Sequence, residues 1–246
     1  MCRLFGLSAA PNAVSATFWL MDAPDSLVRQ SRREPDGVGL GVFEANGTEM
    51  VHRRPVAAFE DREYAKESRE LTGTTFIAHV RYASTGELRD ENTHPFAQDG
   101  RLFAHNGVVE DLDKLRAEVE RVLGAPADTL VHGETDSELV FALITGYARQ
   151  DGDVTAAIRK AVGWVGANCG VFAVNLILTT PTELWALRYP ETHELFVLDR
   201  PPGGSHGNRH LEHASAAGTV RVRSGDLANA PATVIASERM DEDPRW

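Results

Sequence analysis

Apolar and polar positions alternate with a period of two in several short stretches of this chain, and recur at helical spacing in several longer ones. Residues 2–8 read as a short strand with Cys2 at its very start. Val38, Leu40 and Val42 alternate with Gly39 and Gly41, which predicts a strand over 38–43 with glycines where another part of the chain comes close. Asn46-Gly47 is a hairpin signal leading into a strand over 48–54. Residues 74–82 predict a strand with Ile77, His79 and Arg81 on one face and Phe76, Ala78, Val80 and Tyr82 on the other. Residues 83–100 read as loop, and 101–105 as a strand running into Asn106-Gly107. Past residue 171 strand follows strand: 171–179, 183–189, 194–199, a turn at Pro201-Pro202-Gly203-Gly204, a basic segment at 219–223 and an apolar one at 232–236.

The helical pattern falls between these groups. It predicts helices over 24–33 and over 60–71, the second with Glu63, Glu67 and Glu70 as a solvated face. A third runs over 110–123 and is stopped by Gly124 and Pro126. Thr135 with Glu138 three residues on forms a capping box for a fourth helix. Leu139, Val140, Leu143 and Tyr147 make its apolar face, with Asp136 at the head. A fifth helix covers 153–166. Strands, then helices, then strands predict two sheets with helices outside, in one α+β domain spanning residues 1–246.

Composition narrows the class. Of the 246 residues, 42% are hydrophobic, enough for a large core, and the formal charge of -11 argues against a nucleic-acid partner. Cys2 and Cys169 are the only cysteines, which excludes a disulfide framework and points to a reducing, cytoplasmic home. Cys169 reads as a packed core thiol. No signal peptide or membrane-spanning run is visible, so no membrane partner is expected.

Four positions then suggest chemistry. Removal of Met1 would leave Cys2 with a free α-amine beside its thiol, a nucleophile and general base on one residue. Arg81, at the end of an apolar strand, offers a planar fork for a carboxylate. Asp136, pointed inward at a helix N-terminus, offers an acceptor for an ammonium. Asn106 and Gly107 offer a side-chain and a backbone N–H for an oxyanion. Each also has a structural reading: an ion pair for Arg81, a hairpin turn for Asn106-Gly107, a first-turn charge for Asp136. Together they describe a site that grips the α-groups of an amino acid whose far end carries an acyl carbon, as in glutamine or another γ-glutamyl amide.

The set Met1-Cys2-Arg3-Leu4-Phe5-Gly6, Asp36-Gly37-Val38-Gly39, His79-Val80-Arg81-Tyr82-Ala83-Ser84, Asn92-Thr93-His94-Pro95-Phe96, His105-Asn106-Gly107 and Gly133-Glu134-Thr135-Asp136-Ser137-Glu138 resembles the class II glutamine amidotransferases, whose glutaminase domain belongs to the N-terminal-nucleophile hydrolases. The resemblance covers nearly the whole chain and implies a four-layer α/β/β/α sandwich of mainly antiparallel sheets. It implies Cys2 as nucleophile, Asn106 and Gly107 as oxyanion donors, and Arg81, Tyr82, Ser84 and Asp136 as substrate-binding residues. Tyr82 and Thr85 stand where glucosamine-6-phosphate synthase has tryptophan and histidine, so the loop over glutamine is expected to differ. No synthase or phosphoribosyltransferase segment follows within these residues. The resemblance therefore runs toward the stand-alone branch that includes the γ-glutamyl hydrolase of ergothioneine biosynthesis. The expected activity is hydrolysis of glutamine or a γ-glutamyl metabolite through a Cys2 thioester, with no cofactor and with a separate synthase subunit as a candidate partner. The competing reading is an inactive or metal-binding regulatory module of the same fold, with His206, His210 and His213, near His193, at metal-compatible spacing.

Overall fold

A computed structural model describes residues 2–83, 86–203, 212–214, 221–223 and 225–246, the stretches 212–214 and 221–223 as backbone. Its strands are β1 (Arg3–Ser8), β2 (Gly37–Phe43), β3 (Glu49–Arg54), β4 (Thr75–Arg81), β5 (Phe96–Gln98), β6 (Arg101–Val109), β7 (Val171–Thr179), β8 (Leu184–Leu187), β9 (Phe196–Arg200), β10 (Glu212–Ala214), β11 (Arg221–Arg223) and β12 (Ala232–Ala236). Its α-helices are α1 (Leu27–Gln30), α2 (Arg62–Glu70), α3 (Leu112–Leu123), α4 (Asp136–Asp151) and α5 (Val154–Asn168). Six strands form one antiparallel sheet in the order β3-β2-β4-β1-β12-β9, and four form a second in the order β5-β6-β7-β8. Strands β10 and β11 pair as a separate ribbon.

The predicted alternation of β4 explains the layering. Phe76, Ala78 and Val80 enter an outer core with Phe5, Leu7, Val38, Leu40, Trp19, Leu27 and Tyr64, so the segments around α1 and α2 cover the larger sheet. Ile77 turns the other way and meets Leu4, Phe43, Leu102, Ala104, Ile177 and Ile235 between the two sheets. A third core joins the smaller sheet to α3, α4 and α5 through Phe103, Leu176 and Leu178 against Leu115, Val119, Phe141, Leu143 and Val165. Each fully buried aliphatic or aromatic side chain of this kind contributes about 1.5–3 kcal/mol by leaving water. The result is the four-layer α/β/β/α sandwich.

The glycines of β2 face the space between the sheets. A Cβ on Gly39 would overlap the His94 carbonyl oxygen, and one on Gly41 would lie 2.7 Å from Leu102 Cδ1. Small residues here let the loop before β5 press against the larger sheet, as the alternating pattern anticipated.

Several boundaries differ from expectation. The helix expected over 24–33 contracts to Leu27–Gln30, and the Ser26 and Ser31 hydroxyls donate instead to the Met21 and Val28 carbonyls. The stretch 83–100 contains β5. Asn106-Gly107 is no turn: it lies inside β6, opposite Asn175 and Val174 of β7. The capping box is half formed. Thr135 Oγ1 accepts from the Glu138 N–H, but the Glu138 carboxylate accepts from the N–H groups of His132 and Gly133. Glu67 leaves the solvated face and approaches His52, Oε2 to Nδ1 3.5 Å. Cys169 caps α5 and packs against the third core.

Candidate active site

Cys2 stands just ahead of β1, the strand between β4 and β12 at the middle of the larger sheet. Its thiol meets the main chain just past β4: Sγ accepts from the Tyr82 N–H at 3.3 Å and lies 3.4 Å from the Tyr82 carbonyl, to which it donates. Burial pushes the Cys2 thiol above its ordinary pKa, while the Tyr82 N–H works the other way. The resting group is therefore a thiol, and it needs a base to become a nucleophile.

The pocket around Sγ has an empty volume of about 330 Å³ and is lined by Cys2, Arg81, Tyr82, Gly107 and Asp136, with Asn92, His94, His105, Thr135 and Ser137 around them. Arg81 is 4% exposed. Its Nη1 donates to the Glu87 carbonyl at 3.1 Å and its Nη2 to the Gly86 carbonyl at 3.4 Å. Burial works against the guanidinium's charge and lowers its pKa, and Cys2 and Asp36 act in the opposite direction.

The opposite wall comes from the smaller sheet and α4. Asp136 is the first residue of α4, after its N-cap Thr135. Its Oδ2 accepts from the Val109 N–H at 2.7 Å and its Oδ1 from the Ser137 N–H at 2.9 Å. A carboxylate at a helix N-terminus suits the dipole there, and these bonds tie α4 to the end of β6. Asn106 Nδ2 donates to the Cys2 carbonyl oxygen at 2.9 Å, so the two halves of the sandwich meet at the main chain of Cys2. Gly107 sits at φ +154°, and a Cβ there would overlap the Ala173 carbonyl and lie 2.9 Å from His105 Nε2. A side chain at 107 is excluded by both backbone and space.

The structure thus brings Cys2, Arg81, Tyr82, Gly107 and Asp136 to one pocket, with Asn106 bonded to Cys2 from behind. The predicted Ser84 lies outside the described residues, as do His206 and His210 and the His213 side chain. His193 lies beside a second cavity with Arg3 and Asn106.

Pattern reading gave no role to the residues that steady this arrangement. Asp36 Oδ2 accepts from the Ala83 N–H at 2.9 Å and holds the main chain just past Arg81. Asn92 Nδ2 donates to the Glu87 carbonyl while its Oδ1 accepts from the Glu134 N–H, joining the loop under Arg81 to the approach to α4. His105 Nε2 donates to the Ala173 carbonyl at 3.3 Å, so Nδ1 accepts from the Ser137 hydroxyl at 2.8 Å. The His79 and His94 rings pack at a tilt of 44° with centroids 4.2 Å apart, and the His94 ring nitrogens meet no hydrogen-bond partner among the described residues. Burial drives His79 down to about 3 and also lowers His94 and His105, so all three are neutral near pH 7. Asp36, Asn92 and His105 stand in the motifs quoted above, and that adjacency was the one available signal.

Two facing antiparallel sheets with a thiol at the head of a central strand define the class: the α/β/β/α sandwich of the N-terminal-nucleophile amidotransferases. The family model for class-II glutamine amidotransferases matches residues 1–246, and the chain belongs to that family. It is 31% identical over 160 residues to glutamine–fructose-6-phosphate aminotransferase (isomerizing) of Bradyrhizobium diazoefficiens, covering 65% of this chain and 25% of that protein. With the Escherichia coli protein of the same name identity is 33% over 138 residues, 56% of this chain and 22% of that one. The chain thus spans about a quarter of the length of the curated relatives it matches. Among solved structures, the phosphoribosylpyrophosphate amidotransferase of B. subtilis superposes with a TM-score of 0.61 at 18% identity, over 96% of this chain and 42% of that one. A glutamine aminotransferase class-II domain protein of Silicibacter pomeroyi gives 0.60 at 18% identity, over 99% of this chain and 92% of that one. Among the described residues no helix is long and apolar enough to cross a membrane.

Proposed function

We propose that residues 1–246 form a single amidotransferase domain that hydrolyses γ-glutamyl amides, glutamine or a γ-glutamyl metabolite, through a thioester on Cys2. The observation that carries this reading is the placement of the Cys2 thiol in one pocket with Arg81, Asp136 and Gly107. Family membership supports it. Arg81 takes the substrate α-carboxylate and Asp136 the α-ammonium, and Tyr82 and Ser84 are further substrate-binding residues. The γ-carbonyl then lies against Sγ.

Removal of Met1 frees the Cys2 α-amine. With an ordinary pKa of roughly 7.7–8.0 it takes the thiol proton near neutral pH. The thiolate attacks the γ-carbon, an S–C bond forms, and the carbonyl electrons move to oxygen. The Gly107 N–H and the Asn106 amide hold that oxyanion. On collapse the C–N bond breaks, and the leaving nitrogen takes the proton from the Cys2 ammonium. Water then attacks the thioester, giving up a proton to the amine, and the S–C bond breaks to return the thiol and release glutamate. The oxyanion role requires Asn106 Nδ2 to share or leave its bond to the Cys2 carbonyl.

A reducing cytoplasm keeps such a thiol available. Ammonia, where it is the product, goes to water or to a separate synthase. The test joins intact mass to trapping. Purified protein is expected to lack Met1, to release ammonia or an amine from γ-glutamyl amides, and to gain one covalent adduct at Cys2 from a γ-glutamyl electrophile. A processed chain that turns over no γ-glutamyl amide and takes no adduct overturns the proposal in favour of an inactive or regulatory module.

A further inference from the structure

A second cavity, larger than the proposed glutamyl pocket, lies against the main chain of Cys2. It has an empty volume of about 620 Å³ and is lined by Arg3, Asn106, Thr192, His193, Glu194, Phe196, Ser237 and Glu238. Two of these residues touch the main chain of Cys2: Asn106 Nδ2 donates to its carbonyl at 2.9 Å and Arg3 Nη1 at 3.2 Å. This second cavity therefore opens on the main-chain side of the nucleophile. Asn106 is also the proposed oxyanion donor, so the cavity adjoins the carbon from which the leaving nitrogen departs.

The walls are built for more than ammonia. Arg3 is held between Glu34 and Glu238, Nη1 3.4 Å and Nη2 2.7 Å from their carboxylates, which fixes one side. Ser237 Oγ accepts from the Leu4 N–H and fixes the floor to β1. The other side offers the Phe196 ring, with the Arg239 guanidinium 5.1 Å from its centroid, and the His193 imidazole, edge-on to Phe172 at 5.0 Å. His193 Nε2 is buried and meets no hydrogen-bond partner among the described residues. The Glu194 carboxylate lies 3.7 Å from Arg188 Nη1. An aromatic ring, an imidazole nitrogen and a carboxylate around a space of this size match a polar organic group. Ammonia makes no use of them.

We infer that this second cavity receives the leaving group of a γ-glutamyl conjugate, an organic amine of amino-acid size, and that such conjugates are preferred to glutamine. The inference rests on the γ-glutamyl reading above. The C–N bond broken is the same, and the amine departs into the second cavity with the proton from the Cys2 ammonium.

The test compares kcat/KM for glutamine, γ-glutamyl-methylamide and two γ-glutamyl dipeptides, γ-glutamyl-phenylalanine and γ-glutamyl-glutamate, on the Met1-processed enzyme. At least one dipeptide is expected to exceed glutamine by tenfold or more. Thr192→Trp, which projects an indole from an exposed rim position into the cavity, is expected to lower the dipeptide-to-glutamine ratio by at least tenfold at an unchanged melting temperature. His193→Ala gives a second test in case the indole distorts the rim, and it should lower the same ratio. Glutamine turnover with no dipeptide preference, or a ratio unmoved by both substitutions, overturns the inference and leaves the γ-glutamyl reading intact. Absence of turnover with every compound overturns the γ-glutamyl reading itself.

Discussion

The two sheets contribute to the pocket by different means. The larger sheet supplies strand ends: Cys2 precedes β1, Arg81 closes β4, and both are steadied by backbone groups of residues 82, 86 and 87. The smaller sheet supplies a strand interior, Asn106 and Gly107 inside β6, reinforced by the first turn of α4 through Asp136. A strand end can shift with its loop. A strand interior cannot move without breaking its ladder, so the proposed oxyanion hole is expected to be rigid while the proposed nucleophile and its proposed clamp adapt. Substitutions on the first side should change chemistry alone, and those on the second should change chemistry and stability together.

The largest effect that would sharpen this contrast is expected at Cys2. Cys2→Ala removes the proposed nucleophile and should reduce γ-glutamyl hydrolysis to background, read as ammonia or amine release. Its unfolding free energy should move by less than about 1 kcal/mol, because little packing is lost. Asn106→Ala, on the other side, should lower kcat by about 10²–10³ for one lost oxyanion donor. It should also cost about 1 kcal/mol of stability, measured by urea melts, from the lost bond to the Cys2 carbonyl. Gly107→Ala should destabilise by about 2–4 kcal/mol, because the new methyl meets the Ala173 carbonyl at a φ that side chains avoid. Unaltered melting of that variant would break the contrast between the sheets.

The smallest predicted effect concerns acid. His79 of the larger sheet is held down to about 3 by burial, against an ordinary value of 6.5. Its folded pKa lies below its unfolded one, so the unfolded chain binds more protons at mildly acidic pH. Stability associated with the neutral ring is complete above about pH 6.5 and is lost as pH falls toward 3, amounting to about 2 kcal/mol by pH 5. Urea melts at pH 7 and pH 5 should show that loss, and His79→Gln should reduce it. An identical pH dependence in that variant would place the acid sensitivity elsewhere, in His94 or in His105 of the smaller sheet.

The parts of this site that could be read from the chain share one property: each falls where a periodic pattern begins or ends. Cys2 opens a strand, Arg81 closes one, and Asp136 heads an apolar helical face, so local physics singles them out. Asn106-Gly107 offered candidate chemistry and was ambiguous as structure, since the same dipeptide makes hairpins elsewhere. Asp36, Asn92 and Ser137 were not given roles because an ordinary polar residue acquires a function only from its partner. Asp36 bonds to residue 83, Asn92 to residue 134 and Ser137 to His105, separations that no window of sequence spans.

By itself the sequence determined most of the segments that become strands and helices, which face of β4 is apolar, that β2 admits a close neighbour, and which residue types are at hand for the proposed chemistry. Periodicity and backbone sterics act over a few residues and are written locally. Only the tertiary structure decided that Asn106 reaches the Cys2 carbonyl, that His79, His94 and His105 are buried and neutral, and that a second cavity walled by residues 3, 106, 192–194, 196 and 237–238 lies against the main chain of Cys2. Those facts depend on how two sheets pack face to face, and packing brings together groups that the chain keeps far apart.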